Sequence, residues 1–203
     1  MIFSTLAQDI EKIARLIKQG GVGVFPTDTV YALGGSALDE SALRRIYDLR
    51  NRPLHKPLQI HIGALADLTF WVEVSPVARR IIERYWPGPL TIIFKVIPDR
   101  LSDWITAGTG TVAVRFPNCP VEVALINASG VPLVAPSANP SGHPPALTIA
   151  DSIRYFEDRI DFYLDHGTSK TDQVSTLIDL TGETPRVVRE GVIPFSAGEF
   201  VIE

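Results

Sequence analysis

A single cysteine, Cys119, stands among 203 residues, so no disulfide can close within the chain. A zinc site would have to be built mostly from the four histidines and carboxylates. That usage fits a reducing cytoplasm. Long hydrophobic runs are equally scarce. No stretch approaches the roughly 20 apolar residues of a membrane span. The start, MIFSTLAQDIEKIARLIKQGG, mixes charge with apolar residues at helical spacing and lacks the uninterrupted apolar core of a signal peptide. Nor is positive charge in excess. A formal net charge of −4 argues against coating nucleic acid through bulk charge, so any polyanion site has to be concentrated. Four familiar signatures are missing too: a phosphate loop of the GxxxxGK type, GxGxxG after a strand, HExxH, and the GxSxG nucleophile elbow. A nucleotide, if one is handled, is held by another geometry.

What is present is an ordinary globular composition, 45% hydrophobic and 21% charged, in a chain long enough to bury a core. One domain over 1–203 is expected, with its core at about 3–191 and residues 192–203 as a C-terminal surface extension. Residues 7–18 place Ile10, Ile13, Ala14 and Ile17 on one helical face, and Gly20-Gly21 ends the pattern. GVGVFP reads as a short strand. Asp39 precedes a helix with Leu43, Ile46 and Tyr47 inward, and Ser75-Pro76 opens another. Strands are expected at PLQIHI, LTIIFKV, GTVAVRFP and VPLVAPS, then near 161–165, 174–180 and 185–189. Helices are expected near 120–128 and after a Thr148 cap. The interleaving predicts an α/β or α+β fold with an open, mixed parallel and antiparallel sheet flanked by helices, because several connections are too short for a helical crossover.

Several segments carry chemistry-bearing groups. FPTDTVYALGG, from Phe25 to Gly35, leaves a strand with Thr27, Asp28, Thr29 and Tyr31 closely spaced, which suits either a tight turn or a small-molecule site. LRNRPLHKPLQIHI brings Arg50, Arg52 and Lys56 through a proline-stiffened loop into a strand bearing His61. Rigidified cations suit an anion such as a triphosphate, or a solvated basic helix end. In GTVAVRFP, inward Val112 and Val114 turn Thr111, Ala113 and Arg115 the other way. Arg115 there reads either as a carboxylate or phosphate grip or as a sheet-edge cap. LVAPSANPSG sets Ser137, Asn139 and Ser141 on a rigid turn, fit for a ligand rich in oxygens or for an Asx-type turn. VSTLIDLTGETPRVVREG brings Ser175 and Arg189 to one edge if it forms a hairpin. Cys119 beside Pro120 reads as inert packing, and His55 and His61 match no zinc spacing, so no metal site is assigned.

Together FPTDTVYALG, RNRPLHKPL, VAVRFP, PSANPSG and STLIDLTG…RVVREG resemble the YrdC family of threonylcarbamoyl-AMP synthases, in the family's order and over nearly the whole chain. The resemblance implies an open twisted α/β sheet with a concave ligand face. It implies formation of threonylcarbamoyl-adenylate and pyrophosphate from L-threonine, bicarbonate and ATP, with magnesium carried on the nucleotide. The product would serve tRNA threonylcarbamoyladenosine modification through downstream threonylcarbamoyl-transferase proteins, either with or without direct contact with tRNA. Carried over by position, Arg52 and Lys56, with Arg50 beside them, are implied at the ATP phosphates. Thr29, His61, Arg115, Ser137 and Ser175 are implied at threonine, and Thr111, Ala135, Asn139, Ser141 and Arg189 at ATP. The chain departs from the family pattern at Arg50, where Lys is common, at Ala32, where Gly is usual, and at His143 and Pro145. Its length resembles the short, single-domain bacterial type. Two other readings stay beside this one: an RNA-binding module of the same fold, and a carbamoyl-adenylate-forming domain similar to that of HypF.

Overall fold

The computed structural model of the chain describes residues 1–200. In order, its strands and helices are β1 (Ile2–Phe3), α1 (Ala7–Lys18), β2 (Gly23–Phe25), β3 (Ala32–Gly34), α2 (Glu40–Arg50), β4 (Gln59–His61), α3 (Leu68–Trp71) and α4 (Pro76–Tyr85). There follow β5 (Leu90–Lys95), α5 (Asp103–Thr106), β6 (Thr111–Arg115), α6 (Pro120–Ser129), β7 (Leu133–Val134), α7 (Ile149–Phe156), β8 (Phe162–Leu164), β9 (Thr176–Asp179) and β10 (Arg186–Arg189). Among the described residues no helix is long and apolar enough to cross a membrane.

Local chemistry accounts for the helix boundaries. The α2 N-cap Asp39 accepts from the Ala42 amide, and Ser75 does the same for Ala78 at α4, where Pro76 occupies the first turn without losing a bond. Thr148 and Asp151 form a reciprocal capping box on α7. Helix α1 buries Ile10, Ile13, Ala14 and Ile17, and full burial of each isoleucine contributes about 1.5–3 kcal/mol.

The strands form two mixed sheets, ordered β1-β8-β2-β3 and β10-β9-β5-β6-β4-β7. In the first, β2 and β3 make an antiparallel hairpin with Gly23 opposite Gly34 and Phe25 opposite Ala32. In the second, β4 runs parallel to β6 with His61 opposite Arg115, while β5 runs antiparallel to β6 and parallel to β9. The sheets meet where β3 approaches β7: the Leu33 amide donates to Pro136 (2.9 Å), the Val134 amide to Gly35 (3.0 Å) and the Ala138 amide to Tyr31 (2.8 Å). Gly34 permits this approach, since a Cβ there would lie 1.7 Å from the Val134 carbonyl oxygen. One core gathers Val24, Leu33, Leu43, Ile46, Ile60, Ile92, Val114 and Ile178. A second packs α1 with Phe25, Leu125, Phe162 and Leu164.

Two elements differ from the sequence expectation. The stretch after Phe25 does not simply leave the core, because Ala32–Gly34 returns as β3. The segment after Gly191, expected as a surface extension, is docked. Phe195 and Phe200 are buried, stack with ring centroids 5.6 Å apart, and meet Tyr85 of α4. Glu199 also pairs with Arg84. Residues 201–203 of that segment lie outside the described residues.

Candidate active site

The β2–β3 hairpin turn, the end of α2 and the face of the larger sheet enclose one cavity of about 180 Å³. Period-two alternation puts Gln59 and His61 of β4 on one sheet face, and the parallel register sets Ala113 and Arg115 of β6 beside them. The hairpin turn adds Thr27 and Thr29, whose hydroxyls lie 2.9 Å apart while the Thr27 hydroxyl donates to the Val30 carbonyl. The FPTDTVYALGG stretch is therefore both a turn and a cavity wall.

Arg115 is 1% exposed. Its Nε donates to Gly88 O (3.0 Å), its Nη1 to Thr29 Oγ1 (3.1 Å), and its Nη2 to the Asp28 carboxylate. Three of a guanidinium's five N–H donors are thus engaged, and one on each terminal nitrogen is left for a ligand. Arg50, the last residue of α2, sends Nε to Asn139 O (3.0 Å) and Nη2 toward Ser137 Oγ (3.4 Å), while its own carbonyl accepts from the Ser141 amide. Arg52 follows after Asn51, which takes the left-handed conformation (φ 48°) that ends the helix. Arg52 donates to the Lys56 and Pro57 carbonyls. Across the cavity, Arg189 of β10 holds the Ser175 carbonyl through Nε and Nη2, and the Ser175 hydroxyl is 2.7 Å from that of Thr91.

Four guanidinium groups, Arg50, Arg52, Arg115 and Arg189, therefore line a wall that carries no carboxylate among the described residues. Burial, and then the charge of Arg52, pulls Arg50 down to about 10. Burial also lowers Arg52, and burial followed by the Arg115 charge lowers Arg189. Like charges held together out of water favour an anionic ligand that relieves them. Beneath the wall, His61 Nδ1 meets Glu122 Oε1 at 2.5 Å, with both side chains buried. Burial and the Arg115 charge hold the imidazole well below its ordinary range, and burial pushes the Glu122 carboxyl up. Cys119 is buried, its thiol pushed up to about 11 by burial and then by Glu122, so it is not a thiolate near neutral pH.

Of the expected residues, Thr29, Arg50, Arg52, His61, Arg115, Ala135, Ser137, Ser175 and Arg189 meet at this cavity. Four stand off its wall. The Lys56 side chain is exposed, and its carbonyl instead anchors Arg52 and the Tyr47 hydroxyl. Thr111 lies two residues along the strand face from Ala113 and hydrogen-bonds Thr109. Asn139 turns inward to donate to the Pro140 and His143 carbonyls, and the Ser141 side chain is exposed. Gln59 and Glu122 went unread. Gln59 carried a signal, its two-residue spacing from His61. Glu122 carried none, because a carboxylate in a first helical turn reads as an ordinary dipole partner.

A family model described as Telomere recombination, covering Sua5, YciO and YrdC, matches residues 15–191, a span that includes every residue of the cavity wall. The chain belongs to the Sua5/YciO/YrdC family. It is 37% identical over 200 residues to a Bacillus subtilis protein named threonylcarbamoyl-AMP synthase, a match covering 98% of this chain and 58% of that protein. The crystal structure of Pyrococcus abyssi Sua5 complexed with L-threonine superposes with a TM-score of 0.91 at 36% identity, covering 94% of this chain and 57% of the other. Escherichia coli YciO superposes with a TM-score of 0.87 at 29% identity, covering 95% and 96%. The chain thus spans somewhat over half the length of the Bacillus and Pyrococcus relatives, and its Sua5/YciO/YrdC fold matches the mixed-sheet architecture expected from its sequence.

Proposed function

We propose that this chain joins L-threonine, bicarbonate and ATP into threonylcarbamoyl-adenylate and pyrophosphate, for tRNA threonylcarbamoyladenosine modification in the cytoplasm. The observation that carries the reading is the convergence of four guanidinium groups and several hydroxyls on one cavity that carries no carboxylate among the described residues, in a chain whose overall charge is negative. The Bacillus relative's name and the threonine bound to the Pyrococcus protein support it.

In this reading the two remaining N–H groups of Arg115 grip the threonine carboxylate side by side, with Thr29, His61, Ser137 and Ser175 around the rest of the amino acid. The threonine amine takes up bicarbonate, with loss of water, to give a carbamate. A carbamate oxygen then attacks the α-phosphorus, and the bond to pyrophosphate breaks. Arg50, Arg52 and Arg189 stabilise the growing charge on the leaving group, so positioning and electrostatics carry the catalysis and no covalent enzyme intermediate is needed. Ala135 lies where threonine and nucleotide meet. Lys56, Thr111, Asn139 and Ser141, which lie at most four positions along the chain from wall residues, serve the parts of ATP that extend beyond so small a cavity. Magnesium arrives on the phosphates. The wall that would hold those phosphates is cationic and offers the ion no carboxylate among the described residues.

The test is pyrophosphate release from ATP and bicarbonate with L-threonine, with L-serine and without an amino acid. Release that depends on threonine is expected. Release that needs added carbamoyl phosphate and is indifferent to the amino acid would point to a carbamoyl-adenylate-forming enzyme, and tight RNA binding without turnover to a binding module.

A further inference from the structure

Behind the cavity wall, against His61, lies a buried carboxylate that the reaction above does not use. Glu122, on the first turn of α6, is 0% exposed, and its Oε1 meets His61 Nδ1 at 2.5 Å while Oε2 has no partner among the described residues. On the cavity side, the Gln59 amide nitrogen donates to the Ala135 carbonyl at 2.5 Å, which fixes that end of the amide as nitrogen. The same nitrogen lies 3.4 Å from His61 Nε2. An amide nitrogen only donates, so an Nε2–H facing it would set two donors against each other. The ring is neutral, carries one N–H, and therefore carries it on Nδ1, pointed at Glu122. Whether Glu122 is ionised or protonated on Oε2, the tautomer is the same.

We propose that Glu122 and Gln59 are positioning residues that hold His61 as the Nδ1–H tautomer, so that a bare Nε2 faces the cavity and accepts a hydrogen bond from the ligand's hydroxyl. This deepens the reading of the site as a threonine pocket and rests on it. The four arginines around the cavity offer only donors, and His61 Nε2 supplies an acceptor among them. The Gln59 contact to that acceptor is long, at 3.4 Å, so an amino acid with a side-chain hydroxyl adds a stronger hydrogen bond there, whereas 2-aminobutyrate, the same shape without the oxygen, adds none.

Nitrogen-15 NMR of the histidine rings in the wild-type protein tests the tautomer directly and needs no turnover. Nδ1 protonated and Nε2 bare at His61 is the expected result; a protonated Nε2, as neutral tautomer or imidazolium, overturns the proposal. Kinetics add a second readout. In Glu122→Leu the preference in kcat/KM for threonine over 2-aminobutyrate should fall about tenfold. Glu122→Gln, whose amide oxygen can still accept from Nδ1–H, should restore it. A folded Glu122→Leu with unchanged preference overturns the proposal. Should that variant not fold, Gln59→Leu serves instead, where a mixture of tautomers is expected and an unaltered single tautomer counts against Gln59. Absence of threonine-dependent turnover would defeat the functional reading alone, and the spectrum would still decide the tautomer.

Discussion

Arg52 and Arg115 carry the same charge into the same cavity, yet their removal should read differently. Arg52 is half-exposed and bonds only to carbonyls of its own loop. Arg52→Ala should therefore cost at least about a hundredfold in kcat/KM with a small shift in thermal midpoint; a comparable loss of activity and stability would remove its role at the phosphates. Arg115 is buried on Asp28, whose other oxygen has no partner among the described residues. Truncating it strands a buried carboxylate, and Arg115→Ala should cost about 3–5 kcal/mol of stability besides activity, read by urea unfolding. His61 adds a pH signature. Its folded-state pKa lies well below the ordinary 6.5 because of burial, so the unfolded chain takes up its proton first. Stability from this group is complete above about pH 6.5 and is lost as pH falls from there toward the folded value. In Glu122→Gln, which removes the carboxyl whose raised pKa acts in the opposite direction, urea midpoints from pH 7.5 to 5 should show that decline, and adding His61→Gln should flatten it. The arginines were legible because charged residues after prolines or at the end of an apolar strand stand out in sequence. Glu122 was not, since its burial is produced by packing of α6 beneath β4, which no local pattern records.

Elements whose ends are set by neighbouring side chains were readable from sequence: Asp39, Ser75 and Thr148 all cap the helices they precede. Strand β3 was not, because ALG is too short and too small to show alternation, and its pairing is fixed by β2 on one side and β7 on the other. That junction joins the two sheets and shapes the cavity's side wall. Gly34→Ala would drive a methyl into the Val134 carbonyl, and no rotamer can relieve a clash with backbone. The variant should be unfolded or strongly destabilised, as judged by circular dichroism and unfolding midpoint; a native-like midpoint would mean the sheets do not meet as described.

For the whole molecule, a net charge of −4 conceals a cavity wall that is wholly cationic among the described residues. Composition excluded bulk coating of nucleic acid and was silent on the cavity, because no acid lines it among the described residues while arginines from α2, its following loop, β6 and β10 converge. The docked tail was equally illegible, since the site for Phe195 and Phe200 exists only once α4 is in place. The most direct measurement is a crystal structure with L-threonine and a non-hydrolysable ATP analogue bound together. The expected result places the threonine carboxylate on Arg115 and the phosphates among Arg50, Arg52 and Arg189. Either ligand seated away from those guanidinium groups would contradict the account.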